Sequence, residues 1–126
     1  MLLLFDNNAD KRFARFLVGH EVRTAYEMRW ADFKNGLLIK TAEKAGFAVI
    51  ISADKNLAYQ QNLKGRSISI IVFGSRFTDF IGIAPLAPQV IAALENLPSG
   101  PSSPCVLRVR LDHQVERCLG RQKVST

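Results

Sequence analysis

Apolar positions along the chain follow two rhythms. Short unbroken runs occur at Leu2–Phe5, Phe47–Ser52 and Ser67–Phe73, and runs of that length rich in branched residues predict buried strands. Between the first two runs the spacing changes. Phe13, Phe16 and Leu17 stand at i, i+3 and i+4 with Lys11, Arg12 and Arg15 among them, which predicts an amphipathic helix over about Ala9–Val18 that Gly19 ends. His20–Ala25 alternates and predicts a second strand, and Tyr26–Lys34 predicts a loop holding the only Trp. Asn35-Gly36 opens a further helix with Leu38, Ile39, Ala42 and Ala45 on its apolar face, and Gly46 ends it. Later, Asp54 caps a short helix over Leu57–Leu63, and Gly74–Pro85 reads as loop. Pro88–Leu97 reads as helix, and Val106–Leu111 alternates like a half-exposed edge strand.

Strands therefore alternate with helices, and that order predicts an α/β fold: a mainly parallel central sheet of about five strands with helices on both faces. Residues 1–97 form the core of one domain. The Pro/Ser/Gly stretch 98–104 is a linker, 105–112 holds the final edge strand, and 113–126 is a tail without a convincing pattern. In such sheets ligands bind beyond the carboxyl ends of the strands, near a topological switch point. Two acids stand just past such ends: Asp6 after the first strand and Asp54 after the third. They meet if those strands are neighbours, which is the expectation.

Composition narrows the class. The chain of 126 residues is long enough for one domain with a real core, and 48% hydrophobic residues argue against disorder. No apolar run approaches the roughly 20 residues needed to span a bilayer. Met1–Phe5 lacks a basic leader and Asp6 interrupts it, so no signal peptide is expected and a cytoplasmic location is. Cys105 and Cys118 are too few and too late for a disulfide framework or a zinc site. A formal net charge of +6 suits a polyanion such as nucleic acid. However, five of the 17 basic residues, Arg108, Arg110, Arg117, Arg121 and Lys123, lie near the end of the chain.

Two carboxylates roughly 4 Å apart repel by about 4 kcal/mol at an effective dielectric near 20. One of them then keeps a proton, or a cation sits between them. Mg²⁺ or Mn²⁺ suits oxygen ligands and phosphate together, and such an ion polarises a phosphodiester and activates water. Asn8 and Asn56 stand where they can position water or ligands. Turn formation and helix capping explain both amides, and both acids, equally simply.

Phe5-Asp6-Asn7-Asn8, Gly19-His20-Glu21-Val22-Arg23-Thr24, Lys34-Asn35-Gly36 and above all the block Ser52–Leu63, with Ala53-Asp54-Lys55-Asn56-Leu57 and Tyr59-Gln60-Gln61-Asn62-Leu63, resemble a group of small bacterial PIN-like domains. These are related to the PIN-domain ribonuclease toxins of toxin–antitoxin pairs. The resemblance covers Met1–Phe73 and extends weakly to Val106–Leu111. It implies a PIN-like three-layer sandwich, an acidic pocket for Mg²⁺ or Mn²⁺, and cleavage of single-stranded RNA. By motif Asp6 and Asp54 are the catalytic and metal-binding acids, with Asn8, Asn35 and Asn56 in support. Two positions depart from the group: Asn7 stands where a second acid is usual, and Leu37 where a Glu is usual. With those acids missing the resemblance implies a weakly held metal. Glu43 is out of phase to replace the missing Glu, and Glu27 is a substitute by residue type alone.

Lys34, Lys40, Lys55 and Arg66 flank these motifs and stand as RNA-backbone contacts, against the simpler reading of solvated surface bases. Tyr59 and Trp30 are candidate base-stacking residues, with core packing the simpler role. His20 reads as structural. A response-regulator receiver shares the layout, but Asn7 breaks its acid pair and the last strand carries arginines where it needs a lysine. The stronger rival keeps the fold as a weak or inactive binding module that docks RNA or a protein. The resemblance implies a small antitoxin-like partner, and the apolar helix near Val90–Leu97 could also serve a homodimer.

Overall fold

The computed structural model describes residues 1–54, 67–73 and 80–97, together with the backbone of Val106–Val109 and Val115–Cys118. Among the described residues six strands form one sheet: β1 (Leu2–Phe5), β2 (Glu21–Thr24), β3 (Val49–Ser52), β4 (Ser69–Phe73), β5 (Val106–Val109) and β6 (Val115–Cys118). Their order across the sheet is β2-β1-β3-β4-β5-β6. The first five run parallel and β6 pairs antiparallel with β5. Every residue of β3 and β4 is buried, as expected of parallel strands covered on both faces. β2 is an edge strand and alternates between exposed and half-buried, with Glu21 and Arg23 paired on its outer face. The chain is thus an α/β protein.

Alternation along the strands sorts side chains onto two faces. Leu3, Phe5, Val49, Ile51, Ile71 and Phe73 form one core with Phe13, Leu17, Ile83, Leu86, Val90 and Leu94. Leu4, Ile50, Ile70 and Val72 form the other with Leu38, Ile39, Ala42 and Phe47. The first face is covered by a 3-10 helix (Lys11–Phe16) and by α2 (Ala87–Glu95), the second by α1 (Asn35–Lys44). α1 closes as its sequence predicts. Gly46 takes φ +95°, its N–H donates to the Glu43 carbonyl, and the Phe47 N–H donates to the Ala42 carbonyl. This paired closure satisfies the last carbonyls of the helix.

Several elements differ from expectation. The helix over Ala9–Val18 is a six-residue 3-10 helix. A 3-10 helix rises about 2 Å per residue, so six residues span about 12 Å, which matches a four-residue strand at about 13 Å. The three-residue period of this helix sets Phe13 and Phe16 on one face, in edge contact at 5.4 Å, and Asp10 caps its start by accepting the Arg12 N–H. Ala45 is exposed and caps α1. The expected loop Gly74–Pro85 contains a helical turn (Phe80–Ile83) and a 3-10 turn that begins at Ala84. Apolar contact drives this ordering, because Ile83 and Leu86 are wholly buried. β5 is an interior strand and not an edge, since Val115–Cys118, expected as tail, pairs along it. The expected helix over Leu57–Leu63 and the linker 98–104 lie outside the described residues.

Candidate functional site

β1 lies between β2 and β3. The chain leaves β1 toward one side and later returns on the other, so the switch point falls between β1 and β3, beyond their carboxyl ends. Asp6 directly follows β1. Its N–H donates to the Ile51 carbonyl at 3.2 Å, which extends the ladder one step past the strand. Ser52 ends β3 and is wholly buried. Both continue the phase of Leu4 and Ile50, so they emerge on the α1 face side by side.

Ser52 links the two predicted acids. Its hydroxyl donates to Asp6 Oδ2 at 2.5 Å, and its oxygen accepts the Asp54 N–H at 2.9 Å. The link to Asp54 is thus through its backbone; the side chain of Asp54 belongs to a half-buried residue. Asp6 Oδ1 also accepts the Asn8 N–H at 3.0 Å, so the supporting role of Asn8 comes from its main chain. Asp6 is only 6% exposed. Burial pushes its carboxyl from 3.8 up to about 6, against the downward pull of the Ser52 and Asn8 hydrogen bonds, and the Asp54 charge adds a smaller upward push. A carboxyl that exchanges its proton this close to neutrality suits acid–base work and also competes for a cation. Ser52 is shut off from solvent and orients Asp6.

A cleft of about 440 Å³ opens beside Asp6, between the 3-10 helix and β2. Ala9, Ala14 and Val22 give it an apolar wall, and Asn7, Lys11, Thr24, Tyr26 and Glu27 line the remainder with Asp6. The turn after β2 forms its rim and is tightly bonded. Thr24 Oγ1 accepts the Glu27 N–H at 3.0 Å while Glu27 Oε1 accepts the Thr24 N–H at 2.9 Å. The Trp30 N–H donates to the Ala25 carbonyl, and Arg29 takes a left-handed φ of 66°. Asn7 Nδ2 ties the end of β1 to this turn through the Ala31 carbonyl at 2.6 Å.

The other predicted residues divide. α1 runs back against the strands, so its first residues, including Asn35 and Leu37, belong to the same carboxyl edge as Asp6. Leu37 is 51% exposed. Lys34 caps α1 without a side-chain hydrogen bond, and both Lys34 and Lys40 are exposed. Trp30 is half-buried, stacked on Phe33 and edge-on to Phe47, so it packs against the α1-face core. His20 sits at the opposite edge of the sheet, where its Nδ1 meets the Met1 ammonium at 3.2 Å. Glu43 accepts the Ser67 N–H and hydroxyl and anchors the start of β4 to α1. Lys55, Asn56, Tyr59, Gln60, Gln61 and Arg66 lie outside the described residues.

The residues present offer a cation hard oxygen donors, the kind Mg²⁺ and Mn²⁺ prefer. The Asp6 carboxylate takes hydrogen bonds from Ser52 and from the Asn8 and Ala9 N–H groups, which leaves it one of about four acceptor sites. Among the described residues, no group of three or more His, Cys, Asp or Glu comes together, so the donor set that can be read is a pair. Sequence reasoning missed Ser52 as the linker. Its signal was a lone hydroxyl ending an otherwise apolar buried strand. It also missed Lys11 and Tyr26, which carry no motif and are joined to Asp6 only by the fold. Comparison with protein-family models, with curated proteins and with solved structures returns no match.

Proposed function

We propose that this chain is a PIN-like, metal-dependent ribonuclease of the toxin type that hydrolyses single-stranded RNA at the carboxyl edge of β1 and β3. The observation that carries this reading is the Ser52 bridge, which gathers Asp6 and Asp54 at the switch point of a parallel sheet. In this reading Asp6 and Asp54 hold Mg²⁺ or Mn²⁺, which when bound polarises the phosphodiester and makes its water a stronger nucleophile. Asp6 keeps a fixed orientation through Ser52 and the Asn8 N–H, so its oxygens need no reorganisation as substrate arrives. A small antitoxin-like protein is the partner that this reading brings with it.

A second reading is favoured by Leu37. It occupies the head of α1 as an exposed leucine where the resemblance calls for Glu, and that favours a binding module with weak or no catalysis. No described helix is long and apolar enough to cross a membrane. The two readings separate in a cleavage assay on single-stranded RNA with Mn²⁺ or Mg²⁺ and with chelator. The enzyme reading expects metal-dependent cleavage that falls by roughly a hundredfold or more in Asp6→Asn and in Asp54→Asn. Absence of metal-dependent cleavage by the parent, with both variants binding RNA as the parent does, leaves the binding module.

A further inference from the structure

The sheet ends on one side at β2, and among the described residues no strand pairs with its outer edge. The N–H groups of Glu21 and Ala25 donate inward, to the Met1 and Phe5 carbonyls. Alternation along the strand therefore turns the backbone of His20, Val22 and Thr24 outward. The two ends of this edge are closed from within the chain. The His20 N–H donates to the Leu17 carbonyl, the Thr24 N–H donates to Glu27 Oε1 at 2.9 Å, and the Thr24 carbonyl accepts the Met28 N–H. The middle is left open at Val22. Its N–H faces outward, and its carbonyl meets the exposed Arg23 guanidinium at 3.3 Å. That guanidinium also pairs with Glu21 on the same strand, an exposed ion pair of the kind that contributes little to stability. An edge open at its centre is a template for a further strand.

We propose that β2 pairs antiparallel with β2 of a second copy of this chain, about a two-fold axis through Val22. The two Val22 residues then exchange N–H and carbonyl bonds. Charge complementarity selects the occupant and the register. Around a hydrogen-bonded Val22 pair, Glu21 stands opposite Arg23 of the second copy, and Arg23 opposite Glu21 of the second copy. Both are non-hydrogen-bonded sites, where facing side chains are closest. The ion pair within each strand is exchanged for one between copies, and no charge is left uncompensated. Sliding one copy by two residues would set Glu21 against Glu21 or Arg23 against Arg23. Sliding it by one would oppose Val22 to a residue whose backbone is already used toward β1. The same axis lays the start of one β2 beside the end of the other. It thus brings Val18 and Tyr26, 88% and 81% exposed, to a common boundary, where contact between copies removes apolar surface from water. The contact is isologous and closes on itself. α2 does not serve this purpose, since Val90 and Leu94 are buried in the chain's own core.

The test is sedimentation equilibrium of the full chain over roughly 10–500 µM, a range suited to the weak association of a small interface. The parent is expected to move from the 14.0 kDa monomer toward twice that mass. Glu21→Arg and Arg23→Glu each oppose like charges across the axis and are expected to weaken the dimer roughly tenfold or more. An equimolar mixture of these two variants is expected to recover the parental dimer, because one copy presents arginines at both positions and the other glutamates. Val22→Pro removes the N–H at the axis, at an edge position where proline is tolerated, and is expected to be monomeric. If the proline variant fails to fold, the charge variants decide alone. A parent that stays monomeric across the range, a dimer that survives both charge variants, or a mixture that remains monomeric overturns the proposal. Glu21 and Arg23 do not line the cleft beside Asp6, so dimerisation and metal-dependent cleavage are kept or lost independently.

Discussion

Asp6 and Leu37 belong to the same edge of the sheet and break the same burial rule in opposite directions. One is an acid with 6% of its surface exposed, the other a leucine with 51% exposed. Asp6 is retained in the interior by hydrogen bonds from Ser52, Asn8 and Ala9 and still holds its proton up to about pH 6, so its position costs folding free energy. Leu37 forgoes burial at a place where a carboxylate would cost nothing. It is the third residue of α1, whose first turn holds no acid and whose cap makes no side-chain hydrogen bond. The difference teaches that the two positions answer to different demands. Stability alone does not explain Asp6, and the helix alone does not explain Leu37.

The largest effect expected from this contrast is a pH dependence of stability. In the unfolded chain Asp6 loses its proton near 3.8, in the fold near 6. Between those values the folded state binds more proton, so stability falls as pH rises through the window. It is fully present below about 3.8 and lost above about 6, a change of about 3 kcal/mol. Asp6→Asn should flatten that part of the curve in urea unfolding with chelator present. Parallel curves for parent and variant would show that Asp6 is not the group responsible. Asp10 acts in a separate window and with the opposite sign: the Arg12 hydrogen bonds hold its carboxyl down to about 2, so its contribution is present above 3.8 and lost as pH falls through 2.

Ser52→Ala comes next. It removes a donor from Asp6 in the interior and an acceptor from the part-buried Asp54 N–H, and should cost about 1–3 kcal/mol at neutral pH. It should also move the Asp6 proton to still higher pH, which would show as a shift of the same stability window. A loss of stability with that window unmoved would mean Ser52 fills space and does not tune Asp6.

Leu37→Glu is the smallest expected effect and the most discriminating. A carboxylate in the first turn of α1 should stabilise by about 0.3–1 kcal/mol through the helix terminus, and the third helical position is also where a Glu reaches back to the cap N–H. Melting in chelator reads that effect alone, and repeating it with Mn²⁺ reads the pocket. If metal raises the melting temperature no more in the variant than in the parent, position 37 serves the helix and not the site.

Much of the sheet was legible because its strands are short, apolar and punctuated. β1, β3 and β4 are unbroken runs whose burial on both faces leaves them no alternative, and Gly19 and Gly46 take the positive φ that only glycine adopts readily. The adjacency of Asp6 and Asp54 followed from the switch point. The 3-10 helix was not legible as such, since Phe13, Phe16 and Leu17 satisfy an α period equally well. Nor were Ile83 and Leu86, which lie among proline and glycine and acquire order only by filling the space over Phe73. β6 escaped because Val115–Cys118 earns its place by pairing with β5, a long-range event that four residues do not announce. Pattern placed Asp6 and Asp54 past the ends of neighbouring strands, but Ser52, Lys11 and Tyr26 come near Asp6 only in three dimensions.

The 3-10 crossover has a consequence for how this chain can vary. Its six residues match the strand they run beside, and each adds a rotation of about 120°. One inserted or deleted residue would turn Phe13 out of its place against Phe5 and Phe73 and carry Arg15 off Phe80. A change in length between Asp10 and Leu17 therefore costs the Phe13 contacts and the Arg12 and Arg15 contacts with Phe80 together, whereas a substitution on its outer face costs neither.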